Sequence, residues 1–263
     1  MELLGYFAAL FIGITLGLIG SGGAILTVPI LVYLFHIKPE QATGYSLFIV
    51  GFTSAIGAIR HYFMGNLQLK TALYFVIPST SMLLLTRKFV MPNIPDHLFS
   101  LGSFSCTKDL LLLLLFSVLM ILASVSMIRK STQQLEAPKV NPIQLSLIGL
   151  GVGCVSGLLG AGGGFLIIPS LLFFGKLQMK QAVGTSLLII AAKSLIGFTG
   201  DLGHHAIDWN LLLTVTGLAI VGIFFGDIIS KKVDGNKLKV GFGWFVLVMG
   251  IYILVQQLAF PLK

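Results

Sequence analysis

The sequence predicts an all-α polytopic membrane protein made of two inverted repeats. Each repeat holds about five helical segments, including a short helix broken at glycine. Three observations carry this. The chain is too apolar for water, it is written twice, and each copy holds an odd number of segments.

Of the 263 residues, 56% are hydrophobic and only 10% charged, and the mean hydropathy is +0.99. Soluble domains are about a quarter charged. So few charges could not cover so much apolar surface in water, whereas lipid lets that surface face outward. Residues 110–128 are nearly charge-free and, at about 1.5 Å per residue, long enough to cross a bilayer. The formal charge of +8 comes from basic residues beside apolar runs, not from a basic stripe that could track a nucleic acid. Cys106 and Cys154 share no metal-ligand spacing, and neither a disulfide nor a cofactor is expected. Met1, Glu2 and Leu3 carry no basic charge, so the first segment is expected to stay in the protein rather than be cleaved.

A shift of 140 positions lays the first half on the second without a gap. Gly13, Gly17, Gly20, Gly22 and Gly23 fall on Gly153, Gly157, Gly160, Gly162 and Gly163. Pro29 falls on Pro169, and Gln41-Ala42-Thr43-Gly44-Tyr45-Ser46-Leu47 on Gln181-Ala182-Val183-Gly184-Thr185-Ser186-Leu187. Roughly two positions in five are identical between Leu10 and Gly57 and their partners, more than shared hydrophobicity supplies. Beyond Gly57 the identity fades.

In order, the apolar segments of the first half are 3–20, 24–35, 42–59, 72–85 and 110–128. Those of the second are 143–160, 164–174, 182–198, 211–229 and 240–254. The second of each set spans about 18 Å as a helix, short of a full hydrocarbon core. It is either a tilted short span or the return arm of a re-entrant pair. Both choices leave an odd number of crossings, so the second half starts on the opposite face. The expected organisation is a first repeat over 1–128, a cytoplasmic linker over 129–142 and a second repeat over 143–263. With Arg129, Lys130 and Lys139 in the cytoplasm, Arg60, Lys70, Lys176, Lys180, Lys231, Lys232, Lys237 and Lys239 share that side. Lys38, Arg87, Lys88, Lys108 and Lys263 lie opposite, which is the positive-inside bias of a plasma-membrane protein.

Gly20-Ser21-Gly22-Gly23 and Gly160-Ala161-Gly162-Gly163-Gly164 each precede a short segment. A helix starting there offers unpaired N–H groups and a positive dipole end, so two such ends could hold an anion without a full charge. Close helix packing is the other reading, and for Gly13, Gly17, Gly153 and Gly157 the preferred one. No Gly-Lys-Ser/Thr follows either turn, so a nucleotide loop is not indicated. Pro29 and Pro169 free a carbonyl inside each short helix. Gln41, Ser46 and Ser54, with Gln181, Ser186 and Ser194, offer neutral donors at matching places, although serine in a membrane helix often bonds its own backbone. Lys193 reads as the one basic residue inside an apolar span. Either it faces substrate or it snorkels to the helix end. The candidate substrate-binding residues are therefore Gly22, Gly23, Gln41, Ser46, Gly162, Gly163, Gln181, Ser186 and Lys193. Asp201, His204, His205 and Asp208 read as a solvated loop rather than a metal site.

With its paired Gly-x3-Gly-x2-Gly-x-Gly-Gly signature before proline and its paired Gln-Ala-x-Gly-x-Ser-Leu, the chain resembles the TauE/SafE family of membrane permeases. The resemblance covers both halves apart from the linker and the 87–108 region. It implies transport of sulfite, an organosulfonate or a related small organic anion. Without a nucleotide motif, an ion gradient of protons or sodium is the expected drive. The alternatives are a membrane enzyme built on the His204–His205 loop and a non-transporting membrane partner subunit. Replacing both histidines, and reconstituting the protein alone, separates these.

Overall fold

The computed structural model describes residues 2–90, 93–95, 97–101, 104–128, 141–159, 164, 166–201 and 207–259. They form ten α-helices: α1 (Glu2–Ile19), α2 (Gly22–Tyr33), α3 (Pro39–Phe63), α4 (Leu69–Leu85), α5 (Lys108–Ile128), α6 (Pro142–Leu159), α7 (Ile167–Phe173), α8 (Met179–Asp201), α9 (Trp209–Lys232) and α10 (Gly235–Ala259). Among the described residues five helices are long and apolar enough to cross a membrane. Phe7, Phe11, Ile77, Leu122, Leu147, Leu213 and Val248 point outward, as lipid-facing side chains do.

The bundle is the expected helical one with a single departure. A π-helical turn, Thr86–Val90, prolongs α4, and an antiparallel hairpin of β1 (His97–Leu101) and β2 (Phe104–Thr107) precedes α5. Cys106 lies in the second strand. Two short apolar runs flanking Gly102-Ser103 are a hairpin pattern, and the surrounding apolar spans hid it. Several helices also outrun their apolar segments. α3 begins at Pro39, which suits a first turn, and carries Arg60 and His61 in its last.

Helix directions follow from where glycines meet their neighbours. A Cβ placed on Gly17 would sit 2.5 Å from the Ile223 carbonyl oxygen, and one on Gly13 would overlap Ala219. The numbers rise together, so α1 and α9 run parallel. Gly153 meets Ser79 and Gly157 meets Leu83 and Thr86, so α6 and α4 also run parallel. Leu47 meets Gly197, Gly51 meets Leu195 and Gly57 meets Leu187, so α3 and α8 are antiparallel. The α5–α10 pair is antiparallel by the same test, Ile128 meeting Gly243 and Met120 meeting Gly250.

These contacts exchange under the 140-residue shift. Gly13 on Ala219 becomes Gly153 on Ser79, and Gly17 on Ile223 becomes Gly157 on Leu83. The register therefore persists through α4 and α9, although sequence identity fades after Gly57. Helices that are each other's partners, α3 with α8 and α5 with α10, pack side by side in opposite directions. Only a twofold axis perpendicular to them does that, so the repeats are inverted. Buried side chains follow the same rule: Leu31, Ala42, Ile49, Leu212 and Val215 share one core, while Leu171, Ala182, Ile189, Ala72 and Phe75 share its mate. Gly222 and Gly226, which pack on Gly13 and Gly17, fall on Met82 and Thr86 in the repeat, yet α4 still packs closely on α6 where the small Ser79 meets Gly153 and Thr86 meets Gly157.

The ends of α5 and the start of α6 define a linker face, and residues 129–140 between them lie outside the described set. Lys70, Lys180, Lys231, Lys237 and Lys239 fall toward that face, consistent with the charge grouping read from sequence.

Candidate functional site

Leu47–Gly197 and Gly57–Leu187 bracket the α3–α8 crossing, whose centre falls at Phe52 and Ala192. Thr53 and Lys193 are next in line, so the sequence puts its intramembrane lysine at the twofold axis. Ala24 and Gly164 are repeat partners too, and a Cβ on Gly164 would lie 3.9 Å from that of Ala24. Two equivalent residues can touch only on the axis. The chain just after each glycine-rich turn thus converges on the middle of the molecule.

The first turn is fully described. Gly5 abuts Phe35 and Gly23 abuts Ile12 and Leu16, so α1 and α2 form an antiparallel hairpin with both ends on the face opposite the linker. Gly20 has φ +80°, a conformation costly for any residue with a Cβ. It sits against Ser186 and Val183, one to two turns inside the start of α8. The hairpin tip is therefore inside the bundle. α2 starts at Gly22 without a side-chain cap, and the fully buried Ser21 Oγ has no hydrogen-bond partner among the described residues. Gly23 is explained by packing, since a Cβ there would lie 2.5 Å from the Ile12 carbonyl oxygen. In the second half, α7 starts at Ile167, later than the predicted 164, and Gly162 and Gly163 lie outside the described residues.

Lys193 does not reach a helix end. Its Nζ donates to Ser156 Oγ of α6 at 3.2 Å, and Ser156 is itself buried. Its partner position, Thr53, is fully buried, and the Thr53 and Ser54 hydroxyls have no hydrogen-bond partner among the described residues. Ser46 and Ser186 donate to the carbonyls of Thr43 and Val183, at 2.7 and 2.8 Å. Both hydroxyl protons are thus spent on their own helices. Gln181 accepts from the Gln178 N–H at 3.3 Å and closes the first turn of α8. Gln41 and Gln181 sit at the starts of α3 and α8, on opposite faces, and Gln181 lies about 18 Å along the helix from Lys193. The fold brings Lys193 and the Ala24–Gly164 contact to the middle, seats the Gly20 turn one to two turns inside the start of α8, and leaves both glutamines at the rims. Asp208 caps α9 by accepting from the Leu211 N–H at 3.1 Å, while His204 and His205 lie outside the described residues.

One group escaped the sequence reading. Asp227 of α9 is buried, with Oδ2 2.9 Å from Arg60 Nη1 and Oδ1 3.4 Å from His61 Nε2. Arg60 also lies over the Phe224 ring, 4.2 Å from its centre. Arg60 lies in the last turn of α3, inside a candidate membrane span, so Lys193 is not the one basic residue of the apolar spans. The signal was available: Asp227 is the single acid in the segment 211–229, and an acid there calls for a partner.

Fold and centre together define a multi-pass membrane protein of inverted-repeat architecture. The chain belongs to the family described as Sulfite exporter TauE/SafE, whose profile matches residues 5–253. It is 31% identical to the probable membrane transporter protein YdhB of Bacillus subtilis (strain 168), over 87% of this chain and 89% of that protein. A probable membrane transporter protein of Xylella fastidiosa (strain 9a5c) is 28% identical over 94% and 93%. MJ0441 of Methanocaldococcus jannaschii, also described as a probable membrane transporter protein, is 27% identical over 93% and 92%.

Proposed function

We propose that this chain is a secondary transporter that moves a small anion across the cell membrane by alternating access between its two repeats. The substrate class is sulfite, an organosulfonate or a related small organic anion. The repeats are 1–128 and 143–263, joined by a cytoplasmic linker over 129–142. The observation that carries the reading is the place of Lys193, a cation at the level of the twofold axis, hydrogen-bonded to Ser156, with Ala24 and Gly164 meeting on that axis. An inverted repeat makes the axis the one level that both faces can reach equally. A positive group there attracts an anion far more strongly than it would in water. The uncapped start of α2 and the unpartnered Ser21 hydroxyl add donors without adding charge.

The family description and the relatives' names favour transport, and no observation favours an enzyme or a partner subunit. The test is a thermal-stability screen of the purified protein in one detergent, with sulfite, short alkanesulfonates and carboxylates. The expected result is a rise in melting temperature with sulfite or sulfonate that saturates with concentration. No shift with any anion, or the same shift with the Lys193→Met variant, would count against the site.

A further inference from the structure

The Arg60–His61–Asp227 cluster has no role in the site above, and its geometry is unusual for a structural ion pair. We propose that it is the binding site of a coupling proton, taken up together with the anion; this rests on the transporter reading. Asp227 is 1% exposed at its side chain and His61 4%. Both carboxylate oxygens and both imidazole nitrogens lack a well-aligned hydrogen bond to any described residue. A purely structural pair in so dry a place is expected to have its remaining lone pairs and protons satisfied. Here the acid and the imidazole keep capacity for one more proton.

The position suits coupling. Asp227 lies on α9 beside Gly17, where a Cβ would be 3.0 Å from the Asp227 nitrogen. Gly17 is one helical turn before Ser21. His61 packs on α8 at Gly184, where a Cβ would meet its Nδ1 at 2.9 Å. Two residues further along α8, Ser186 touches the Gly20 turn. The cluster is therefore level with the hairpin tip, in the half of the bundle nearer the linker face.

The charges explain the linkage. Arg60 and Asp227 cancel, and a neutral His61 leaves the cluster without net charge. One proton from water on the linker side, held between His61 and Asp227, adds a full positive charge to a low-dielectric interior. That charge is costly alone and is offset when an anion enters beside it. Proton and anion then promote each other's binding, and the effect must be reciprocal. Charged groups facing the cluster are few. From α3 they are Arg60 and His61 themselves, and α1 presents Gly17 and Leu18 at this level. Lys180 of α8 donates to the Lys231 carbonyl at 3.4 Å, one turn beyond Asp227 on α9, and Lys231 and Lys232 are exposed at the end of that helix.

The experiment uses the full chain in liposomes containing a trapped pH dye. The probe is a strong-acid alkanesulfonate, which brings no proton of its own. An inward sulfonate gradient is expected to acidify the lumen with about one proton per anion. Asp227→Asn is expected to keep sulfonate exchange while its proton-to-anion ratio falls at least about tenfold. His61→Gln is expected to lower the ratio too, and it decides the matter if Asp227→Asn does not fold. A structural role would change the amount of folded protein, not the ratio. A wild type that moves sulfonate without protons, or variants with the wild-type ratio, overturns the proposal. A wild type that moves no sulfonate overturns the transporter reading beneath it.

Discussion

At the scale of single residues, the hydroxyls divide by what they already bond. Ser186 spends its proton on the Val183 carbonyl, so Ser186→Ala should cost well under about 1 kcal/mol of stability and leave anion affinity unchanged. Ser21 bonds none of the described residues, so Ser21→Ala should leave the melting temperature level or raised, because a buried unpaired hydroxyl is removed. Anion affinity should nevertheless fall several-fold. Calorimetric unfolding and anion titration of both variants check this pair, and the reverse pattern would move the site away from the hairpin tip. Lys193 could be picked out from sequence, because a charge inside an apolar run stands out by cost alone, about 2.5–3.5 kcal/mol at mid-helix. Its depth could not, since that depends on where α3 and α8 cross. Asp227 stands in the same kind of run and is legible by the same argument. The serines were legible as hydroxyls on one stripe, but whether each bonds its own helix is decided by rotamer and neighbours.

At the scale of helices, the glycine pattern carried two meanings that only packing separates. Gly13 and Gly17 let α1 lie backbone to backbone on α9, whereas Gly217 meets nothing within 4 Å. Gly17→Val should overpack that contact and cost about 1–3 kcal/mol, lowering the melting temperature and the yield of folded protein. Gly217→Val, on an exposed face of the same pair, should be close to neutral. Equal effects of the two would contradict the parallel α1–α9 packing. Helix order and the repeat were legible because glycine, proline and serine recur at one shift. The continuation of that shift into α4 and α9 was not, because Ala219, Gly222 and Gly226 fall on Ser79, Met82 and Thr86, so no identity marks the register there. The hairpin before α5 was missed for a related reason, as its short strands are as apolar as the spans around them.

At the scale of the whole molecule, the account rests on an axis through the bilayer at which equivalent residues meet. Ala24 and Gly164 are such a pair, with Cβ positions 3.9 Å apart, within disulfide range. In a background with Cys106 and Cys154 replaced, Ala24→Cys with Gly164→Cys should cross-link readily under mild oxidant. A pair such as Ala24→Cys with Gly217→Cys, on the lipid-facing side of α9, should not. The central claim goes further, since it makes that axis the place where an anion is held between faces. Uptake of labelled sulfite by liposomes containing only the purified protein tests it most directly. The account predicts saturable uptake by wild type, partial uptake by Lys193→Arg, and loss of at least about tenfold with a folded Lys193→Met, the positive charge at the axis being removed. Wild-type uptake by Lys193→Met, or no uptake of any small anion by wild type, would contradict it.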